Sequence, residues 1–244
     1  MSDKIGDYTK NNISDVPADF NSEAFKKYQS IIPKFLGEAV YIYSFKEQRM
    51  LYVHGWEKLL GYEDSKISML KIVSCTSKRH FNFSNELNDK ALKFILKNKI
   101  EMEKYSFTLE VEKIHKDGRI IPLFSRVAVY KANNGIVEEI MGVSQIIKSL
   151  KISNVMQYAV YGPESLVSKF EETLNRELFN HYAISRKEKE ALKLAAKGLT
   201  FKEIADAENV SQSAIEKRIL PMYKRFKVKS LPHLIHFAHL NHII

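Results

Sequence analysis

The spacing of apolar residues separates a β-rich first part of the chain from a helical last part. Two short apolar runs, AVYIYSF and RMLYV, lie between residues 39 and 53 and are separated by three polar residues, a pattern typical of a β-hairpin. The next stretch has helical spacing, which places Leu87, Phe94 and Ile95 on one face. Three runs with a period of two follow, at residues 105–115, 119–130 and 136–147. This pattern predicts two strands, a helical middle and a three-stranded meander.

Residues that favour tight turns lie between the last three strand candidates. They are KDG at 116–118 and NNG at 133–135, in which Gly and Asn accept positive φ at little cost. Ahead of the first strand, residues 22–32 have the pattern of a short amphipathic helix that Pro33 ends. Residues 1–21 contain many Asp, Asn, Ser and Lys residues and few large apolar groups, so we expect them to be disordered or loosely attached.

A helical linker is predicted at residues 149–183. Pro163 suits the first position of a helix, and apolar residues recur after it at steps of three and four. These residues are Val167, Phe170, Leu174 and Leu178. Such a stripe has to be buried, and the sequence leaves three surfaces open for it: the sheet of the first domain, the last domain, or its own copy in a partner chain.

The last sixty residues contain signals for three short helices. Ser185 and Glu188 have the spacing of a capping box at the start of the first helix. Thr200 starts the second helix, which ends near Asn209, a residue that tolerates the left-handed conformation of a tight turn. Ser211 starts the third helix. Very few residues separate the second helix from the third, and this predicts a helix-turn-helix.

The third helix has a narrow apolar stripe that predicts which of its residues face outward. The stripe consists of Ile215, Ile219, Met222 and Phe226. Its burial turns Ser213, Lys217 and Lys224 outward and places Gln212, Glu216 and Arg218 nearer the flanks. Polar side chains on the first turns of such a helix can meet base edges in the major groove, while lysines and arginines pair with phosphates. A fourth helix is predicted from Ser230 to about Leu240.

The formal net charge of +9 is concentrated near the end of the chain. Residues 185–244 contain 12 Lys and Arg against 6 Asp and Glu, a net charge of +6. This distribution predicts a surface that binds a polyanion, and the alternative is a solvated face that only aids solubility.

Length and cysteine content restrict the class of protein. A chain of 244 residues fits two ordinary domains. The single cysteine, Cys75, cannot form an internal disulfide, which agrees with a reducing compartment. No apolar run approaches the roughly 18 residues that cross a bilayer, and the N-terminus lacks the apolar core of an export signal. We therefore expect a cytoplasmic protein without a membrane segment.

Residues 30–148 resemble a PAS domain. The resemblance rests on YVHGWEKLLGYEDSKI and on HKDGRIIPLFSRVAVYKANNGIVEEIMGVSQII, which occur in the order found in that family. It implies an antiparallel sheet that encloses a small pocket and senses a ligand, light, redox state or a partner. The aromatic residues Tyr41, Tyr43 and Trp56 are candidates for the pocket lining, with plain core packing as the alternative. The sequence indicates no particular cofactor, and an empty domain used for dimerisation stays open.

The chain from ISRKEKEALKLAAKG to LPHLIHFA resembles the LuxR/GerE-type DNA-binding domain along its whole length. The segments GLTFKEIA, VSQSAI and FKVKS occur at the separations found in that family. The resemblance implies a transcription regulator that binds double-stranded DNA and works as a homodimer. The predicted DNA contacts are Thr200, Lys202, Ser211, Gln212, Ser213, Glu216, Lys217, Arg218 and Lys224.

Six positions depart from the pattern of that family, among them Ala214 and Ile215, where members commonly have Thr and Val. Members commonly have Leu where this chain has Glu208, Lys where it has Glu216, His where it has Arg218 and a polar residue where it has Pro221. Glu216 can accept a hydrogen bond from a cytosine amino group, which predicts a shifted target sequence, or it can pair with a neighbouring lysine. Pro221 disfavours a helix interior, and we expect a kink beyond the reading half of the helix.

These patterns predict an α+β protein: a PAS-like domain with five antiparallel strands at residues 22–148, the helical linker, and an all-α domain at residues 184–244. The predicted function is a regulator that senses a small ligand or a partner and changes its dimerisation or its DNA binding. The alternative is an adaptor whose helix-turn-helix no longer binds DNA. We expect no enzymatic site, because the chain lacks phosphate loops, nucleophile elbows and metal-ligand spacing. The histidines that recur at every third position drift around a helix, so they do not predict a metal site: His233, His236, His239 and His242.

Overall fold

The computed structural model describes residues 5–97, 99, 101–147, 155–177, 183–241 and 243–244. The described residues form two units. The first unit contains the residues up to 147 together with Val160–Phe170. The second unit contains residues 155–159 and the residues from Glu171 onward.

The first unit contains five antiparallel strands, with helices before them and between the second and third strands. The helices are α1 (Asp7–Asn12), α2 (Glu23–Ile31), α3 (Trp56–Leu60), α4 (Met69–Ser74) and α5 (Lys78–Lys97). The strands are β1 (Glu38–Ser44), β2 (Arg49–His54), β3 (Ser106–Ile114), β4 (Ile120–Asn133) and β5 (Ile136–Ile146). They lie in the order β2-β1-β5-β4-β3. This arrangement confirms the predicted α+β class and the predicted order of elements.

Tight turns join the strands of the meander where the sequence predicts them. Gly118, between β3 and β4, has φ of +92°. Asn134 and Gly135, between β4 and β5, have φ of +51° and +73°. Two consecutive residues with positive φ give a turn whose twist matches that of the flanking strands. The turns therefore fix the register in which β4 pairs with β3 and with β5.

Large side chains from β1, β2 and α3 fill the core of the first unit. Trp56 and Tyr43 are fully buried, and Tyr52 is 1% exposed. The indole nitrogen of Trp56 donates a hydrogen bond to the carbonyl of Val40 at 3.2 Å, so the polar atom of this buried ring is satisfied.

The part of the N-terminal segment that the structure describes, residues 5–21, is more ordered than its composition predicts. Residues 1–21 are expected to be loosely attached, whereas α1 packs against α5. The Thr9 amide donates to Asp89 Oδ1 at 2.9 Å, and the Thr9 hydroxyl contacts the same oxygen. Thr9 and Ile13 are 2% and 6% exposed. Composition misses this docking because the acceptor that holds the segment lies on a helix eighty positions away in the sequence.

The second unit is mainly helical. Its elements are β6 (Met156–Tyr161), α6 (Glu164–Glu177), β7 (Ala183–Ser185), α7 (Arg186–Ala196), α8 (Phe201–Ala207), α9 (Gln212–Arg225) and α10 (Leu231–Leu240). Strand β6 ends in the first unit, and helix α6 begins there. β6 pairs in parallel with β7. Both strands are additional to the five predicted, and β6 lies in the predicted helical linker. A six-residue apolar run such as MQYAVY is compatible with a strand or a buried helix, so its periodicity does not decide between them.

The linker helix α6 buries part of its predicted stripe. Val167 and Leu174 are 3% and 0% exposed. Within the first unit, the Phe170 ring stacks on the Phe94 ring with 4.2 Å between their centroids. Leu178, the last member of the predicted stripe, lies outside the described residues.

Side-chain caps start the helices of the second unit at the predicted residues. Ser185 and Glu188 form a capping box at α7, and Thr200 and Glu203 form another at α8. Asn209, between α8 and α9, has φ of +52°, which allows the chain to reverse in a few residues. These local signals place α8 and α9 as a helix-turn-helix.

The core of the second unit includes the apolar stripe predicted for α9. Ile215, Ile219 and Met222 are fully buried, and Phe226 is 3% exposed and stacks on Phe237 of α10. None of the described helices in either unit combines the length and apolar character needed to cross a bilayer.

Candidate functional site

The outer face of α9 carries three of the predicted DNA contacts. Ser213, Lys217 and Lys224 are exposed, and their spacing of four and seven residues places them on one side of the helix. The opposite side is held in the core by Ile215 and Ile219, both fully buried. Because its apolar side is fixed in the core, α9 cannot rotate about its axis, and its polar face keeps one orientation relative to the rest of the domain.

Two other predicted contacts act as helix caps. Ser211 Oγ accepts a hydrogen bond from the Ala214 amide at 3.2 Å, and Thr200 Oγ1 accepts one from the Glu203 amide at 3.3 Å. The hydrogen bond that the Thr200 amide donates to Glu203 lowers the pKa of that carboxyl below its usual value. Lys202 is exposed on the first turn of α8. Thr200 and Ser211 thus fix the starts of the two helices of the helix-turn-helix.

Glu216 has a partner that the sequence does not predict. Gln212 Nε2 donates a hydrogen bond to Glu216 Oε1 at 2.8 Å, across one turn of α9. The sequence interpretation pairs Glu216 with a lysine or with a base, whereas this contact orients it along its own helix. Gln212 is exposed and Glu216 half-buried, so both side chains border the outer face.

Pro221 lies inside α9, which continues to Arg225. The proline removes a donor from the helix and comes ten positions after Ser211, so the first two turns keep their backbone hydrogen bonds. Those turns carry Gln212, Ser213 and Glu216. The part of α9 that precedes Pro221 is therefore a complete helical surface.

A cavity of about 130 Å³ lies within the first unit. Its walls come from β1, β3, β4 and β5 on one side and from α4 and α5 on the other, and Thr9 and Ile13 of the N-terminal segment complete them. Most of the lining is apolar. The described residues thus enclose a pocket of the kind that the resemblance to PAS domains implies.

The three aromatic pocket candidates have different positions. Tyr41 lines the cavity, and its ring lies against Gly142, where a Cβ atom would come within 2.1 Å of it. Tyr43 and Trp56 are buried outside the cavity lining. The Tyr43 hydroxyl accepts a hydrogen bond from the Ser14 amide at 2.9 Å. The close approach of Tyr41 to the backbone of β5 explains why glycine is needed at residue 142.

Lys113 lines the same cavity and was missed by sequence reasoning. Phe107, Leu109, Val111 and Lys113 alternate along β3, and all four line the cavity. Because successive side chains of a strand point to opposite faces, these four share one face. The sequence signal for Lys113 was its position in the same alternating series as the three apolar residues, which places it on the same face of the strand.

Metal ligands do not cluster in the described part of the chain. No group of three or more His, Cys, Asp or Glu residues is placed there to hold a metal ion. His233, His236 and His239 are exposed on α10, and His242 lies outside the described residues.

The last part of the chain matches a known family. Residues 183–238 match the GerE model, described as "Bacterial regulatory proteins, luxR family". Residues 183–238 are a LuxR-type helix-turn-helix domain. No curated protein matched the chain.

The solved structures that are similar to this chain include VqmA proteins and a LOV protein. A phage VqmA–DPO complex is 14% identical, covers 91% of this chain and 92% of its own, and has a TM-score of 0.33. The Vibrio cholerae VqmA dimer without target DNA is 12% identical, with coverages of 89% and 87% and a TM-score of 0.35. A Rhodobacter sphaeroides LOV protein is 10% identical, with coverages of 52% and 68% and a TM-score of 0.40.

Two departures from the family pattern contact each other in the LuxR-type domain. Arg218 Nη1 of α9 donates to Glu208 Oε2, and the two side chains are 17% and 19% exposed. The pair ties α9 to the end of α8. Because Arg218 is engaged within the domain, its predicted role as a DNA contact competes with this ion pair. Glu208, which departs from the family pattern in the sequence, has a structural partner.

Proposed function

We propose that the protein is a sequence-specific DNA-binding transcription regulator. Its LuxR-type domain reads double-stranded DNA, and its first unit senses a small ligand or a partner that alters dimerisation or DNA binding. The protein acts as a homodimer in this proposal. The observation that carries the proposal is the outer face of α9, where Ser213, Lys217 and Lys224 are exposed over a fully buried apolar stripe.

The chemistry of this face suits a duplex. Ser213 and Gln212 lie on the first turns of α9, where a supported helix can bring polar groups to base edges in the major groove. Lys202, Lys217 and Lys224 supply cations for phosphates. The ion pair of Arg218 with Glu208 ties the start of this face to the end of α8.

The sensing part of the proposal is supported by the cavity of the first unit. A largely apolar pocket with a small number of polar groups is the usual form of a small-molecule site. The cavity is bordered by six separate elements as well as by the N-terminal segment, so a ligand there contacts much of the unit.

Salt-dependent binding of the full chain to a random-sequence duplex tests the DNA-binding function. We expect dissociation constants of about 10⁻⁴ to 10⁻⁶ M at physiological salt. If Lys202, Lys217 and Lys224 each meet a phosphate, affinity should fall between 50 and 200 mM KCl by about fortyfold for one protomer and by about 10³ for a homodimer with six such contacts. Fluorescence anisotropy at several salt concentrations measures both quantities. Absence of binding at 50 mM KCl by a folded protein would favour the adaptor instead.

Replacing Glu216 with Lys should tighten binding to random duplex. The substitution removes a negative charge beside the DNA-facing surface and adds a cation, so the magnitude of the salt slope should rise by about one if a phosphate contact is gained. Anisotropy titrations over a range of KCl concentrations give the slope.

Glu216→Gln is the matched control for this prediction. Glutamine keeps an acceptor for Gln212 and removes the charge without adding a cation, so its salt slope should stay at the wild-type value. A slope for Glu216→Lys equal to that of the control would place residue 216 away from the DNA backbone.

A further inference from the structure

Lys113 indicates which class of ligand the cavity of the first unit prefers, a point that the sensing proposal does not specify. We propose that this cavity binds a small organic acid, with an apolar body the size of one ring and one anionic group that pairs with Lys113. The inference rests on the proposed sensing function and names the class of ligand for it.

The position of Lys113 is the first support. Its side chain shares the cavity-facing side of β3 with Phe107, Leu109 and Val111. Lys113 is 6% exposed, so its charge is removed from bulk water. A buried ammonium is costly unless a charged or well-placed polar partner compensates it.

The partners of Lys113 within the protein compensate its charge only in part. Its Nζ donates to the Ile72 carbonyl at 2.8 Å and to Thr76 Oγ1 at 2.7 Å, and both acceptors are neutral. An ammonium has three hydrogens to donate, and these contacts use two of them. Among the described residues, Lys113 forms no salt bridge with a carboxylate. An anion in the cavity would supply the missing charge.

The protonation state of Lys113 agrees with this role. Burial lowers the pKa of Lys113 to about 8, and neighbouring Cys75 opposes that shift. At neutral pH the side chain is therefore still mainly an ammonium. An anionic ligand would stabilise this form.

The rest of the lining favours an anion over a cation. No Asp or Glu of the described residues lines the cavity, and Lys113 is its buried cation, because the side chain of Arg126 is exposed and its guanidinium lies over the Tyr161 ring. The Tyr41 hydroxyl adds a neutral donor: Tyr41 is 5% exposed, and the described residues give this hydroxyl no hydrogen-bond partner. An acid is the class of small molecule that can use a cation and a hydroxyl donor together.

The size of the cavity limits the apolar part of the ligand. An engineered apolar cavity of about 150 Å³ in another protein holds one benzene molecule. The cavity here is of similar size, about 130 Å³, and its apolar walls include Leu87, Leu92 and Ile95 of α5. Benzoate is therefore a suitable probe, and benzamide is a neutral probe of nearly the same shape.

Ligand-observed NMR titration of the full chain with these two probes tests the inference. We expect benzoate to bind at least about tenfold more tightly than benzamide, because charge-assisted hydrogen bonds are stronger than neutral ones. Lys113→Met should abolish this preference while leaving binding of benzamide within about twofold. Lys93→Met is the matched control, since Lys93 is exposed on α5 outside the cavity lining, and it should keep the full preference.

Three results would overturn the inference. They are equal affinity for the two probes, a preference for benzoate that survives Lys113→Met, and no binding of benzoate to the folded protein. If Lys113→Met melts earlier and keeps the preference, Lys113 serves only as a cap for α4. The comparison of probes on the unaltered protein remains decisive even if that variant does not fold.

The duplex titration is a separate test. Loss of the preference for benzoate leaves the DNA-binding proposal unaffected, and failure to bind duplex leaves the ligand proposal unaffected.

Discussion

Charge reversal at Lys217 and Lys224 should remove detectable binding of random duplex at physiological salt. Both lysines are exposed on the outer face of α9, seven residues apart, so both can meet the same stretch of phosphate backbone. Losing two phosphate contacts should reduce the magnitude of the salt slope by about two for each bound protomer, and the two added carboxylates repel the duplex. Anisotropy titrations of Lys217→Glu/Lys224→Glu from low to physiological KCl measure both effects.

The control carries the same change in net charge on another surface. Lys93 and Lys97 are exposed on α5 of the first unit, and Lys93→Glu/Lys97→Glu should keep the wild-type salt slope. Equal loss of affinity in the two double variants would mean that net charge alone drives binding, and the outer face of α9 would lose its special role. Circular dichroism of both proteins checks that they are folded.

The helix-turn-helix could be predicted from sequence because its determinants are local. Ser185, Thr200 and Ser211 cap their helices through contacts three residues ahead, and Asn209 makes the turn with its own backbone. The apolar stripe of α9 follows from helical periodicity. Signals of this range are visible in a short window, and each of these residues has the predicted role in the structure.

Elements that depend on distant partners were not predictable in the same way. The N-terminal segment docks because Asp89 accepts from Thr9 across eighty positions of sequence. β6 forms a parallel pair with β7, a contact between segments more than twenty residues apart. Neither contact has a periodic signal in its own segment. The sequence therefore predicts a loosely attached terminus for the segment that contains Thr9 and a helical linker for the segment that contains β6.

The lining of the cavity could be predicted in part, because it depends both on local alternation and on contacts between distant segments. Alternation along β3 predicts that Phe107, Leu109 and Val111 face one side, and the same alternation includes Lys113. The sequence therefore contains the position of the lysine, but its burial depends on the packing of α4 and α5. Tyr41 is a candidate as an aromatic residue of the PAS-like domain, and the same criterion includes Tyr43 and Trp56, which lie outside the cavity lining.

The departures from the LuxR-type pattern have different structural meanings. Glu208 and Arg218 pair with each other, so each accounts for the other. Glu216 accepts from Gln212 on the surface that we propose faces DNA, where a change of residue type can alter the preferred sequence. Pro221 follows the turns that carry the reading residues. The departures are therefore compatible with a domain that binds an altered target.

Replacing Arg225 with Met should destabilise the LuxR-type domain by about 3–5 kcal/mol. Arg225 is 8% exposed, and its Nη2 lies 2.9 Å from Glu188 Oε1, while Nη1 donates to the Ala183 carbonyl at 2.9 Å. Without the guanidinium, the Glu188 carboxylate, 2% exposed, keeps its charge without a cationic partner. Hydrogen exchange at the amides of α7 and α9 measures the free energy of opening of the domain.

Two further variants separate the buried charge from lost packing. Lys229→Met removes an exposed cation four residues away and should change the free energy of opening by less than about 0.5 kcal/mol. Adding Glu188→Gln to Arg225→Met should recover part of the loss, since glutamine removes the unpaired charge and can still complete the capping box with Ser185. If Arg225→Met costs no more than Lys229→Met, the Arg225–Glu188 pair contributes no more than an ion pair on the surface. Failure of the second substitution to recover stability would instead assign the loss to the side-chain packing of Arg225 and to the Ala183 carbonyl.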